Sequence, residues 1–228
     1  MKIVIINGSP RRNGTTAKVL KKLKNSLEEK NDVTVFYVNL ADRSISSCIG
    51  CVNCYTKGEC PIKDDMKEIN ENVANSDCLI IGSPVYVSNV PGILKTYIDR
   101  GHFVLEQSLI GKYTYSVCTY EIAGADSVIR ILNNLFRISG GVLLGSYKLK
   151  LLSTSNPLEN PSVNIELNRI SDKLYKNISK NKKRRALFDK LYNYIALHLV
   201  IKRHVLKHRE KYGCIIQRWK SIKVISSS

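Results

Sequence analysis

An α/β fold of three layers, with a five-stranded parallel sheet between helices, is predicted by two features of the sequence. Short apolar, β-branched runs alternate with stretches whose apolar residues recur at helical spacing. Strands that alternate with helices in this way join by right-handed crossovers, which makes the sheet parallel and covers both of its faces. The length of 228 residues adds a bound, since it suffices for one self-supporting core plus an extension.

The elements follow in order. Lys2–Asn7 is an apolar run suited to a strand buried on both faces. Thr16–Lys30 carries Val19, Leu20, Leu23 and Leu27 on one helical face, and Asp32–Val38 reads as the second strand. Asp65-Met66-Lys67-Glu68 has the form of a capping box and predicts a helix reaching Asn75. Asp77–Ser83 is the third strand, and Pro91 opens a helix that ends near Gly101. Lys112–Thr119 is the fourth strand, followed by a helix over Ala125–Ser139 that Gly140 and Gly141 terminate. Val142–Leu149 is the fifth strand, and a last crossover helix is predicted within Pro161–Lys180. Five strands in this rhythm fit a flavodoxin-like αβα sandwich better than a six-stranded dinucleotide fold. The flavodoxin-like domain is thus expected over residues 1–180, with a basic helical extension over 181–228.

Charge divides the chain the same way. The net charge is +17, of which residues 150–228 carry +13 and residues 1–149 only +4. The extension opens with Lys182-Lys183-Arg184-Arg185 and continues with Leu187, Leu191, Ile195 and Leu199 on one stripe. Lys190, Lys202, Arg203, Lys207 and Arg209 take the other side, with His204 and His208 read as part of that basic face. Such a helix suits nucleic acid, an anionic membrane surface or a protein. A solvated basic face whose apolar stripe packs on its own domain or a second subunit is the plainer reading. The longest apolar stretch near the C-terminus, Leu191–Ile201, is too short to span a bilayer, and the chain enters a strand pattern at once. A reducing, cytoplasmic setting is expected from the odd count of seven cysteines and the lack of a signal pattern.

Four of those cysteines form one run, Cys48, Cys51, Cys54 and Cys60, with Pro61 directly after the last. The C-x2-C-x2-C-x5-C spacing suits thiolate ligation of a [4Fe–4S] cluster, much as in the bacterial ferredoxin run that ends in Cys-Pro. Redox-active or idle thiols, a zinc site and disulfides remain as alternatives, although zinc pairs are usually more widely spaced. The run follows the second strand, so it is expected at the carboxyl edge of the sheet. Cys78, Cys118 and Cys214 sit in apolar surroundings and are expected to serve packing alone.

The loop after the first strand, Asn7-Gly8-Ser9-Pro10-Arg11-Arg12-Asn13-Gly14-Thr15-Thr16, lacks both G-x-G-x-x-G and Gly-Lys-Ser/Thr. It gathers three hydroxyls, an amide and glycines at the amino end of a helix. Backbone N–H groups and the helix dipole favour a phosphate dianion there, with Arg11 to offset its charge. No catalytic triad or carboxylate pair is evident in the sequence.

Taken in order, three motifs resemble the NAD(P)H-dependent FMN reductase family. They are the loop Gly8–Thr16, the block Ser83-Pro84-Val85-Tyr86 followed by Pro91–Arg100, and the cysteine run followed by Asp64-Asp65-Met66, which resembles the iron–sulfur flavoprotein branch. The likeness runs from Met1 to about Leu149. It implies that the FMN phosphate falls to Ser9, Arg11, Asn13, Thr15 and Thr16, and the isoalloxazine to Pro84, Val85 and Tyr86. Thr119 and Tyr120 in the third strand-end loop would join them, although that loop lacks the early glycine usual in relatives. Asp99 and Arg100 are expected to form an ion pair or cap.

The resemblance further implies homodimers or homotetramers, with one subunit's cluster near a neighbour's flavin. The expected activity is an FMN-dependent oxidoreductase passing electrons between NAD(P)H or a ferredoxin and an acceptor, through FMN and a [4Fe–4S] cluster. The flavin carries the chemistry, so no catalytic side chain is expected. Two alternatives stand beside it: a cluster-free NAD(P)H-dependent FMN or quinone reductase, and a flavodoxin-like carrier whose basic tail binds nucleic acid or membrane.

Overall fold

The computed structural model describes residues 1–180 and 195–225. Strands β1 (Lys2–Asn7), β2 (Thr34–Asn39), β3 (Cys78–Pro84), β4 (Tyr113–Tyr120) and β5 (Val142–Lys150) form one sheet in the order β2-β1-β3-β4-β5. Every neighbouring pair is parallel. This is the doubly wound order of flavodoxin, in which ligands sit outside the carboxyl ends of the strands.

Helices α1 (Thr15–Glu28), α2 (Asn53–Thr56), α3 (Met66–Ala74), α4 (Gly92–Arg100), α5 (Phe103–Glu106), α6 (Ala125–Ile138) and α7 (Pro161–Ser179) connect and follow the strands. Alternation along each central strand sends successive side chains to opposite layers. Ile3, Ile5, Ile80 and Val117 pack with Leu20 and Leu23 of α1 and Leu167 and Leu174 of α7. Val4, Ile6, Leu79 and Ile81 pack instead with Ile69 of α3, Leu94 of α4 and Leu132 of α6. Burial on both faces is what makes β1 and β3 read as unbroken apolar runs.

The chain beyond α7 adds a π-helical turn (Ile195–Ile201) that runs into α8 (Lys202–Lys207), and then α9 (Gly213–Ser221). Val205, Tyr212, Ile215 and Trp219 build a third, smaller apolar cluster that takes in Tyr55 of α2 and Leu105 of α5. A helical C-terminal extension is therefore present. The predicted basic start at 182–185, with Leu187, Lys190 and Leu191, lies outside the described residues, and Ile195 is exposed. The His204 and His208 rings lie tilted against each other, with centroids 4.8 Å apart. No helix among the described residues is long and apolar enough to cross a membrane.

The capping box predicted at Asp65–Glu68 does not form. Asp64, not Asp65, accepts the Met66 N–H (3.1 Å). The Asp65 carboxylate instead accepts the Ser44 N–H (2.8 Å), and Glu68 pairs with Arg43 (2.9 Å). Both departures tie α3 back to the loop that follows β2, a long-range demand no local pattern contains.

Candidate functional site

Three strand-end loops converge above β1, β3 and β4. In the first, Ser9 N–H donates to Asn7 Oδ1 (3.2 Å), Arg11 N–H to Ser9 Oγ (3.1 Å) and Gly14 N–H to Arg11 O (3.1 Å). These bonds curl the loop over the amino end of α1. Gly8 must be glycine for this path, since a Cβ there would stand 2.5 Å from Leu94 Cδ2. Gly14 caps α1 without a side-chain acceptor, which leaves the first-turn N–H groups open to an anion. The Thr15 hydroxyl is buried with no partner. A buried, unpaired hydroxyl is costly, so its presence beside an open helix terminus fits a bound phosphate.

The second and third loops are stitched to the first and to each other. Thr16 and Thr119 hydroxyls hydrogen-bond at 2.7 Å, and Val85 N–H donates to Thr119 O (3.0 Å). Tyr86 and Asn89 exchange backbone hydrogen bonds (2.8 and 2.9 Å) around Val87 and Ser88, both left-handed at φ +49° and +57°. Gly124, at φ +91°, permits the third loop to pass close to Val85, whose Cγ1 would lie 2.8 Å from a Cβ at that position.

A cleft of about 300 Å³ opens between these loops. Of the nine residues predicted to hold FMN, Ser9, Arg11, Thr15, Thr16, Pro84, Val85, Tyr86 and Thr119 line it. Asn13 does not: its Oδ1 accepts from Lys21 Nζ (3.0 Å), which turns it to the other side of the loop. Tyr120 lines the cleft too, as do three residues the sequence reading passed over, Glu121, Leu151 and Ser153. Leu151 and Ser153 follow β5, and the rule that ligands sit at carboxyl strand ends would have found them.

The cysteine loop has a different address. The segment that leads into it leaves the carboxyl edge after β2, where Asp42 pairs with Arg12 of the first loop (2.6 Å). The loop runs down the α3–α4 layer, away from the edge where the sequence placed it, and none of residues 48–60 lines the cleft. Cys60 meets Arg100 at the far end of α4, roughly 13 Å of helix rise from the cleft end. Cys54 meets His102 just beyond.

Cys48 and Cys51 are exposed, Cys54 and Cys60 are half-buried, and all four are free. Left-handed turns at Gly50, Val52 and Gly58 shape the loop. Among the described residues no three His, Cys, Asp or Glu side chains are gathered as a metal site.

Arg100 and His102 adjoin the loop. Arg100 is almost wholly buried and bonds Asp64 through both guanidinium ends (2.9 and 3.1 Å) and Ser46 O (2.8 Å). Burial opposes its charge, but the Asp64 and Cys60 partners outweigh it and raise its pKa. The expected pairing of Arg100 with Asp99 is absent, because Asp99 pairs with Lys95 one turn away (2.6 Å). His102 is pushed up to about 10, first by Cys54 and then by Glu106. Cys78 and Cys118 are buried as expected, and burial pushes both thiols up, Cys118 to about 12. Cys214 is not a packing residue: half-buried, it donates to Thr56 O (3.1 Å) at the end of α2.

Comparison with known proteins agrees with the fold. Residues 1–151 match the NADPH-dependent FMN reductase family. An iron–sulfur flavoprotein of Clostridioides difficile strain 630 is 37% identical over 227 residues, covering 99% of this chain and 100% of its own. One from Methanocaldococcus jannaschii is 34% identical over 150 residues, covering 64% of this chain and 76% of its own. Among solved structures, the apo form of an NADH:FMN oxidoreductase shares the fold with a TM-score of 0.59 at 22% identity, over 76% of this chain and 88% of that one. The chain belongs to the NADPH-dependent FMN reductase family of flavin oxidoreductases, in its iron–sulfur flavoprotein branch.

Proposed function

We propose that this protein passes electrons between a reduced donor, NAD(P)H or a ferredoxin, and an acceptor by way of FMN and a [4Fe–4S] cluster on Cys48, Cys51, Cys54 and Cys60. The observation that carries the flavin half is the buried, unpartnered Thr15 hydroxyl beside the open amino end of α1, within the cleft. When bound, FMN supplies hydride and single-electron exchange and the cluster supplies single electrons. In this reading Ser9, Thr15, Thr16 and the first turn of α1 bind the phosphate, and Arg11 offsets its charge. Pro84, Val85, Tyr86 and Thr119 wall the ring and orient it, with the Thr16–Thr119 bond fixing the two loops relative to each other.

The four thiols fit a cluster in type and number, and Arg100 and His102 at Cys60 and Cys54 suit thiolate ligands. What supports the homodimer or homotetramer reading, with one subunit's cluster near a neighbour's flavin, is that the cysteine loop stands away from its own cleft. The cleft mouth is also ringed by exposed apolar side chains, with Val87 fully exposed, Ile122 85% and Leu152 60%. Such a patch is a mark of a covered surface.

The test is FMN, iron and acid-labile sulfide per chain in anaerobically purified protein, with spectra before and after NAD(P)H. Bound FMN with iron and sulfide present, and a flavin that NAD(P)H or reduced ferredoxin bleaches, is the expected result. FMN without iron or sulfide supports a cluster-free FMN or quinone reductase, a reading favoured by the four thiols not converging. A chain that binds no FMN overturns both.

A further inference from the structure

The C-terminal helix touches the cysteine loop and its cationic partner along an unbroken line. The Cys214 thiol donates to Thr56 O (3.1 Å), and the Tyr212 ring packs against Tyr55, centroids 5.8 Å apart, next to Cys54. Trp219, fully buried, donates its indole N–H to Leu105 O (2.7 Å). Arg218 Nε donates to Glu106 O (2.8 Å) and stands 3.8 Å from the Glu106 carboxylate. That carboxylate bonds His102 Nδ1 (3.1 Å), and His102 faces the Cys54 sulfur. These side chains stand outside both main apolar cores and outside the cleft.

The loop needs such support. α2 has only four residues, far below the length at which a helix is stable alone, and left-handed turns at Val52 and Gly58 flank it. Its position must come from tertiary contacts, and α9 provides them.

We propose that α9 is the backing of the cysteine loop, with Trp219 and Arg218 as positioning residues that set where the Cys54 thiol points. Trp219 anchors the helix on α5, and Arg218 acts on Cys54 through Glu106 and His102. The consequence for iron rests on the cluster reading above; the docking itself does not.

The experiment compares the full-length chain with Trp219→Ala and Arg218→Ala by amide hydrogen exchange and by retained iron. Amides of residues 53–57 are expected to exchange at least about tenfold faster in Trp219→Ala, the factor that 1.4 kcal/mol of lost docking corresponds to. Amides of β1 and β3, and FMN content, should stay as in the parent. Iron and sulfide should leave both variants faster under anaerobic chelator. If Trp219→Ala does not fold, shown by fast exchange in β1, the same comparison on Arg218→Ala decides. Unchanged exchange at 53–57 in the folded variants overturns the proposal. A parent that holds FMN but no iron defeats the cluster reading alone, and the exchange result still decides the role of α9.

Discussion

Thr15 and Asn13 stand two residues apart on one loop, yet only one of them faces the cleft. Thr15→Val should weaken FMN binding about ten- to hundredfold, the equivalent of a lost hydrogen bond to a charged group of roughly 1.5–3 kcal/mol. Asn13→Ala should change it little, because that amide engages Lys21 instead. Titration of the FMN-free chain with FMN, followed by fluorescence quenching, separates the two, and equal losses would contradict the assignment. The type of each donor was legible in the sequence. Which way a loop side chain turns was not, since that depended on Lys21 eight residues on. The buried Arg100–Asp64 pair makes a second case. Asp64→Asn should cost about 3–5 kcal/mol, as for breaking any buried pair by removing one partner. Burial raises the Asp64 pKa, but hydrogen bonds from Arg100 and from the Ser46 and Met66 N–H groups bring it below the ordinary value. A carboxyl shifted down contributes fully above its unfolded-state pKa of roughly 3.9 and loses that contribution as pH falls through the folded value. Urea midpoints taken from about pH 5 to about pH 3 should therefore fall more steeply in the parent than in Asp64→Asn.

At the scale of elements, the strands were readable to within one or two residues, most plainly β1 and β3, which burial on both faces makes near-continuous apolar runs. What failed was local capping at α3, where Arg100 draws Asp64 into the cap position from 36 residues away. The turn at Val87–Ser88 was also hidden. A two-residue hairpin of this hand normally carries Asn-Gly or its like, and Val87 is β-branched at φ +49°. Val87→Asn should relieve about 1 kcal/mol and raise the melting temperature by about 2–4 °C. A lowered melting temperature in calorimetry would show that the valine is not strained there.

For the whole molecule, the homo-oligomer proposed above would cover the exposed apolar side chains beside the cleft. Ile122→Asp should shift light scattering from an oligomer toward a single chain while leaving far-ultraviolet circular dichroism unchanged. An unaltered mass would place the contact elsewhere. The sequence located the basic excess and the extension, yet it could not show that the extension folds back on α2 and α5. Contacts such as Cys214 to Thr56, 158 residues apart, leave no mark on either segment. That separation has a consequence for biosynthesis. Domains fold as the ribosome releases them, amino end first. The sheet is complete by Lys150 and the cleft by Ser153, whereas Trp219 comes only in α9. A nascent chain can thus complete the cleft while its cysteine loop still lacks α9, so in the reading proposed above iron would be held firmly only after α9 has emerged.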